Sequence, residues 1–426
     1  MRSEGLSLVV RFFLAQKKQC LDWCGGLPFV VIDFMIRIAV LVVLSLCLTA
    51  ALIGRADFFC YNTEVKKSSF LLIALCLGLF LPTALTLAAS KPIIAGWIPY
   101  WKKTGGVAEA TANLNKLSEI SPFSYTVSKT GALIDTVKIG SAPWPKLFAQ
   151  ARKQQTKVLP SVMWNDSQAI DATLANPTKR LSQITAILAE VKKGGFDGID
   201  IDYENKFAST SPYFSLFLQE LGTKLRAQNK ILSCTIEARM PPDSRYLVVP
   251  KKLEYANDYQ ALNKYCDEVR LMTYDQGTAD IKLNSTKRRG GLYYPVADQA
   301  WVRKVVALAI KDISPDKIMI GIPTYGYLLQ VTDKNKYFDY QEVKSLSYQD
   351  FLKLAKEKKQ TPKRNNAGEM YFTFASSSLS YYAVVSDATA IANKYRLAKS
   401  LGLRGIALFK IDGESDEYWG KLEVKN

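Results

Sequence analysis

Histidine is absent from all 426 positions of the chain. Its absence excludes Ser-His-Asp and Cys-His nucleophilic machinery and every His-ligated metal centre. Proton transfer, if the chain performs any, must come from carboxylates, Tyr, Lys or Cys. Cysteine is nearly missing where a core must form. Five of the seven, Cys20, Cys24, Cys47, Cys60 and Cys76, precede residue 90, and only Cys234 and Cys266 follow it. Cys20 and Cys24 are too isolated for a zinc site. Cys234 and Cys266 lie in apolar strand and helix contexts and are expected to be buried free thiols, a disulfide between them being the alternative. Acidic residues are in deficit: 39 Asp+Glu against 56 Lys+Arg give a net charge of +17. Residues 1–89 hold 8 basic and 5 acidic residues, so most of the surplus belongs to the remainder. Such a surface suits anionic polymers or membranes, or solubility alone. No nucleic-acid motif accompanies it. A Gly-rich phosphate loop, internal repeats and low-complexity tails are also lacking.

Long apolar runs are confined to the start. Phe34–Ile53, interrupted only by Arg37, is long enough to cross a membrane. A second run, Phe70–Leu81, comes after Lys66-Lys67 and leads into the small residues of Thr83–Ser90. A basic start, about a dozen apolar residues and a small-residue end describe a secretory signal peptide. Signal peptides begin at a chain's first residue. The expectation is therefore a physiological start at Val65, with residues 65–89 the signal or anchor, residues 1–64 an over-extended reading frame, and the remainder exported to the cell envelope or beyond. The alternative is a membrane-anchored N-terminus; two full spans would return the rest of the chain to the cytoplasmic side. Peptides from residues 1–64 in the exported protein, read by mass spectrometry, would overturn the late start.

From Lys91 onward short apolar runs alternate with amphipathic stretches. The pattern predicts strands at Ile93–Pro99, Glu119–Thr126, Lys157–Met163, Gly198–Asp202, Ile231–Ala238, Glu268–Thr273, Ile318–Pro323 and Gly405–Phe409. Helices are expected near Ala108–Leu117, Lys179–Lys193, Tyr213–Gln228, Tyr259–Tyr265, Asp298–Lys311 and Asp387–Ser400. Eight alternating units imply an α/β fold, a (β/α)₈ TIM barrel, with an open doubly wound sheet as the alternative. Residues 327–386 break the rhythm and predict a small α+β insertion after strand seven. It would either wall a cleft or be a structural excursion without ligand contact.

The chemistry concentrates in Gly194-Gly195-Phe196-Asp197-Gly198-Ile199-Asp200-Ile201-Asp202-Tyr203-Glu204. Alternation along a strand puts Asp200, Asp202 and Glu204 on one face and Ile199, Ile201 and Tyr203 on the other. In a closed parallel barrel the outer face packs on helices, so the carboxylates must point inward, with Glu204 highest at the C-terminal mouth. Successive same-face residues are roughly 6–7 Å apart. Carboxylates that close resist joint ionisation, so at least one keeps a proton near neutral pH and can serve as a general acid. Carboxylates also suit Mg²⁺ or Ca²⁺, and a divalent-metal site is the rival reading.

The spacing Asp197-x-x-Asp200-x-Asp202-x-Glu204 resembles the signature of family 18 glycoside hydrolases, the chitinase-like barrels. Leu271-Met272-Thr273-Tyr274-Asp275 is similar to that family's strand-six motif, Gly321–Tyr327 to its strand-seven motif and Gly405–Phe409 to its last strand. The resemblance spans residues 92–426. It implies cleavage of N-acetylglucosamine polymers, chitin oligomers or peptidoglycan, by a substrate-assisted retaining mechanism. Glu204 would be acid and then base. Asp202 would orient the acetamido group, Asp200 would hold the proton balance of Asp202, and Tyr274 would hydrogen-bond the acetamido oxygen. Asp275 would hold the sugar, with Met272, Trp97, Tyr325 and Phe409 lining the substrate site. Asp197 would be structural. No cofactor or metal is implied, and a monomer is expected.

The chain also departs from the family. Leu159–Trp164 lacks the Ser-x-Gly-Gly of many third strands. Phe409 stands where many members carry Trp, and Tyr327 where many carry Arg. Tyr100, Trp101, Tyr125 and Trp164 end near the expected mouth and suit either sugar faces or barrel packing. Two non-enzymatic readings remain beside the hydrolase: a chitinase-like lectin and a cell-envelope scaffold with a vestigial site.

Overall fold

The computed structural model describes residues 92–246, 248–280, 291–335, 337–414 and 417–425. The expectations for residues 1–91 lie outside them. In chain order the strands are β1 (Ile93–Ile98), β2 (Glu119–Val127), the short β3 (Leu133–Asp135), β4 (Lys157–Val158), β5 (Ser161–Trp164), β6 (Gly198–Tyr203), β7 (Ile231–Glu237), β8 (Glu268–Met272) and β9 (Ile318–Pro323). Then come β10 (Gly326–Asp333), β11 (Phe338–Leu346), β12 (Lys363–Arg364), β13 (Met370–Ser376), β14 (Leu379–Val385) and β15 (Gly405–Phe409). The principal helices are α1 (Lys103–Ala112), α2 (Trp144–Lys153), α3 (Ser167–Leu174), α4 (Pro177–Gly194), α5 (Ser211–Arg226), α6 (Tyr259–Tyr265), α7 (Gln299–Ala309), α8 (Tyr348–Glu357) and α9 (Ala388–Ser400).

Parallel pairing runs β1-β15-β9-β8-β7-β6-β5-β2, and β2 pairs back to β1, which closes the TIM barrel. The third staircase position is split. Lys157–Val158 pairs with β2, the run breaks at Leu159-Pro160, and pairing resumes at Ser161. Proline has no N–H to give a ladder, yet its carbonyl still accepts from the Asp200 N–H at 2.9 Å.

Alternation sorts the two barrel faces as the sequence predicts. Ile199, Ile201 and Tyr203 join the large core between strands and helices, with Leu232, Cys234, Ile236, Val269 and Leu271. The inward positions of the same strands are polar and buried: Asp200, Asp202, Ser233, Thr235, Glu268 and Arg270. Helix starts are fixed by side-chain caps. Asn176 accepts from Thr178 and Lys179 at the start of α4, Asp298 from Ala300 at α7, and Asp387 from Ala390 at α9. These are the oxygen acceptors that unpaired first-turn N–H groups favour.

The interval after β9 is an antiparallel sheet ordered β11-β10-β14-β13-β12, with α8 on one face. Leu328, Phe372, Ala383 and Val385 pack with Phe351 and Ala355 of that helix. The opposite face carries Tyr327, Leu329, Val331, Tyr382 and Val384. An α+β insertion thus succeeds strand seven.

Two expectations need correction. The first helix begins five residues earlier than Ala108 and includes Gly105 and Gly106. Glycine disfavours a helix interior, but here it is required by close packing: a Cβ on Gly106 would lie 2.5 Å from the Ile411 carbonyl oxygen. Cys234 and Cys266 are not free thiols. They form a disulfide, with Cα atoms 6.1 Å apart and both residues fully buried. Cys234 sits on the outward face of β7 and Cys266 just past α6, so strand alternation and the helix end bring them together. Among the described residues no helix is long and apolar enough to cross a membrane.

Candidate active site

β6 delivers its carboxylates in steps up the barrel axis. Asp200 is the deepest, with no exposed surface. Its Oδ2 accepts from Trp97 Nε1 at 3.0 Å and Ser161 Oγ at 2.7 Å, and its Oδ1 accepts from Ser233 Oγ and Thr235 Oγ1, both at 2.8 Å. The Arg270 guanidinium stands 3.9 Å away. Every contact on this carboxylate is a donor, which is what an acceptor-only group requires. Asp197, at the strand entry, accepts from the Val158 N–H at 2.8 Å, tying β6 to β4.

Asp202 lies one step higher and is 3% exposed. Its Oδ1 is buried without a hydrogen-bond partner among the described residues. Burial, then the charges of Glu204 and Asp200, push its carboxyl well above the usual range. Glu204 lies just past the strand at the mouth and is half-buried. Burial raises its pKa, the nearby Glu237 carboxylate raises it further, and Lys206 partly opposes both. The two upper carboxyls are therefore biased towards the protonated form.

β8 ends in Met272, which is half-buried, and the chain then turns through Tyr274 and Asp275. The Tyr274 hydroxyl is held protonated by burial and by the negative charge of Asp202 and its neighbours. Asp275 adopts a left-handed backbone with φ 56°, a conformation Asp tolerates better than most residues. Its Oδ1 accepts from Tyr325 at 2.5 Å and from the Tyr327 hydroxyl. Burial raises the pKa of Asp275, and these two hydroxyls pull it back.

Phe409, the last residue of β15, is the hub of an aromatic floor. It stacks on Tyr274 at 5.2 Å and meets Trp97, Phe123 and Tyr325 edge-on at 5.9, 6.1 and 5.9 Å. Trp97 is itself only 1% exposed and donates its indole N–H to Asp200. Tyr125 and Trp164 are buried too, Tyr125 donating to Glu190 of α4 at 3.0 Å. Tyr100 and Trp101 are exposed, with Trp101 stacked on Phe123 at 6.2 Å.

The structure therefore brings Asp200, Asp202, Glu204, Tyr274, Asp275, Tyr325 and Phe409 to one end of the barrel. Sequence reasoning missed several neighbours: Ser161, Ser233 and Thr235 on Asp200, Tyr327 on Asp275, and the pair Lys206 and Glu237 beside Glu204. A signal was present in Ser233-x-Thr235-x-Glu237, whose polar alternation on β7 parallels that of β6. Among the described residues no group of three or more acidic or cysteine side chains is arranged to hold a metal ion. A cavity of about 350 Å³ opens at the opposite, N-terminal end of the barrel beside Glu119 and Arg404, and none of the site residues borders it.

A TIM barrel with a half-buried Glu beside two deeper carboxyls at its C-terminal mouth, over an aromatic floor, fits a carboxylate-dependent glycosidase class. Residues 97–414 match the model for glycosyl hydrolases family 18, and the chain belongs to that family. It is similar to the uncharacterized glycosylase YvbX of Bacillus subtilis, 24% identical over 327 residues, covering 72% of this chain and 87% of the relative. It is also similar to the cortical fragment-lytic enzyme of Bacillus cereus, 25% identical, covering 75% of this chain and 70% of the relative. The fold is shared with a chitinase from Chromobacterium violaceum, with a TM-score of 0.62 at 19% identity, covering 78% of this chain and 97% of the other. The chain is thus a glycosidase of the chitinase type.

Proposed function

We propose that the protein hydrolyses β-1,4 bonds on the reducing side of an N-acetylglucosamine unit, in chitin-type oligomers or peptidoglycan, by substrate-assisted catalysis. The observation that carries this is the orphaned Asp202 Oδ1, buried between Glu204 and the Tyr274 side of the mouth. An acetamido group supplies what the place lacks: its N–H satisfies Asp202 Oδ1 and its carbonyl oxygen accepts from the Tyr274 hydroxyl. So held, the carbonyl oxygen attacks the anomeric carbon of its own sugar while Glu204 gives its proton to the departing glycosidic oxygen. The cyclic oxazolinium then takes up water, Glu204 removes a proton from that water, and the configuration is retained. An internal nucleophile needs only correct folding of the sugar, and its effective concentration is high. Relatives go under both names, cortical fragment-lytic enzyme and chitinase, and the basic surface suits anionic wall polymers. On the same reading the barrel works outside the cytoplasm, delivered by residues 65–89, as a monomer. The Cys234–Cys266 disulfide supports export, because such bonds persist in oxidising compartments.

Release of a fluorophore from N-acetylchitobiose substrates tests the chemistry. Glu204→Gln is expected to lower kcat by about 10²–10⁴-fold, the usual scale for a general acid–base group. Equal rates for wild type and variant would defeat the enzymatic reading and favour a lectin. Digestion of chitin oligomers beside purified peptidoglycan, with products weighed by mass spectrometry, separates the two polymers.

A further inference from the structure

Two charged residues beside Glu204 take no part in the substrate-assisted steps. Lys206 lies two positions beyond Glu204, and its side chain has no exposed surface. Its ammonium donates to the Tyr203 carbonyl, lies 4.7 Å from the centre of the Phe214 ring and faces Glu237 at 3.6 Å. Burial lowers its pKa, and Glu237 and Asp202 oppose that fall. A lysine this deep is found only where negative charge answers it. Glu237, at the end of β7, accepts the Asn205 backbone N–H at 2.6 Å and the Asn257 amide at 3.0 Å. Burial pushes Glu237 up, but Lys206 and these donors hold it below its ordinary range. Asn205 occupies the left-handed region at φ 56°. That turn, placed directly after Glu204, is thus fixed from a neighbouring strand.

We propose that Glu237 and Lys206 are positioning residues for Glu204: Glu237, part-exposed at the mouth, pins the turn that aims the Glu204 carboxyl, and its pair with the buried Lys206 sets the charge that carboxyl meets. The inference rests on Glu204 being the proton donor. Four groups besides Glu237 face or adjoin Glu204: Asp202 from β6, Asp275 and Tyr274 from the turn after β8, and Lys206 from its own segment. Glu237 is the anion that acts most strongly on Glu204, and Lys206 the cation that opposes it. The two side chains should consequently move the Glu204 proton in opposite directions.

The test is the pH profile of kcat/KM in wild type, Glu237→Gln and Lys206→Met, with Lys206→Arg as the charge-restoring control. In Glu237→Gln the alkaline limb should fall to lower pH by roughly half a unit or more, because one nearby negative charge is gone. In Lys206→Met it should rise by a similar amount, and Lys206→Arg should return it towards wild type. Limbs that stay together in all four proteins, with only the melting temperature changed, would overturn the proposal and leave the pair structural. Direct titration of the Glu204 carboxyl by ¹³C NMR, assigned by its loss in Glu204→Gln, reads the same opposed shifts. That second readout separates the two ideas: a protein that cleaves no N-acetylglucosamine polymer but still shows opposed Glu204 titrations loses its proposed function and keeps this inference. Unmoved titrations defeat the inference whatever the activity.

Discussion

Asp275 joins the turn after β8 to the start of β10 at one oxygen, accepting hydrogen bonds from the Tyr325 and Tyr327 hydroxyls while its own backbone is left-handed. Asp275→Ala strands both phenols in a buried place and adds strain at the positive φ. A loss of about 1–3 kcal/mol is expected from the unpaired hydroxyls, measured by urea unfolding, together with lower kcat/KM. Asp275→Asn keeps an acceptor and tolerates the backbone, so it should lose much less stability. Asp202 gives a pH signature. Its folded carboxyl keeps its proton well above the ordinary 3.8. The folded state therefore binds a proton that the unfolded chain has released. Stability from this group is complete below 3.8 and declines as pH rises towards the folded value. Asp202→Asn is always neutral and should be more stable than wild type near neutral pH, with the gap closing below about pH 4. Unfolding curves at both pH values check the sign.

At the level of elements, α1 shows why local propensity misleads. A surface Gly→Ala change inside a helix normally adds about 1 kcal/mol. Gly106→Ala instead meets the Ile411 carbonyl oxygen at 2.5 Å and Ile98 Cγ2 at 2.8 Å. Overpacking of this kind should cost about 1–3 kcal/mol, and a denaturant midpoint lower than wild type would confirm it. The nearer clash partner, Ile411, is some 300 residues away in sequence, so no local pattern could announce it. β6 was legible for the converse reason. Its division into an apolar and an acidic face is written in a period-two pattern, Ile199, Ile201 and Tyr203 against Asp200, Asp202 and Glu204, which needs no knowledge of the rest of the chain. Lys206 and Glu237 lie between these cases. Lys206 reads as an ordinary surface charge, and Glu237 as the end of a polar alternation without a partner, until β6 and β7 are placed side by side. The sequence left Cys234 and Cys266 open between free thiols and a pair, since only the helix end at Cys266 shows that it reaches the back of β7.

Across the whole barrel, covalent and electrostatic ties act on different conditions. The disulfide joins residues 32 positions apart, and Cys234→Ser with Cys266→Ser should cost about 2–4 kcal/mol. Reductant should lower the wild-type melting temperature and leave that variant unmoved. Deep in the barrel, Arg270 bridges Glu119 and Glu268 at 3.1 and 2.8 Å, and Arg404 holds Glu268 at 3.0 Å. Burial pushes Glu119 up to about 8, reinforced by Glu268, and the two arginines only partly restrain it. For Glu268 the same arginines outweigh burial and hold its pKa down. Stability contributed by the Glu119 proton is present below about 4.5 and lost as pH rises through about 8. Glu119→Gln keeps an acceptor for Arg270 and a donor for Glu268, and should flatten the fall in melting temperature across that window.

Asp200 draws an indole from β1 and hydroxyls from β5 and β7 onto one oxygen pair supplied by β6. A chain still open at any of these seams would leave that carboxyl group short of donors, at a cost of about 1–3 kcal/mol for a buried polar group left unpaired. Incomplete barrels are thus penalised by the same carboxyl group that the closed barrel holds beneath Glu204. Maturation and arming become a single event: a molecule that has closed its barrel has already built its site, and damage at Asp200 should be seen first in the yield of folded protein and only afterwards in its rate.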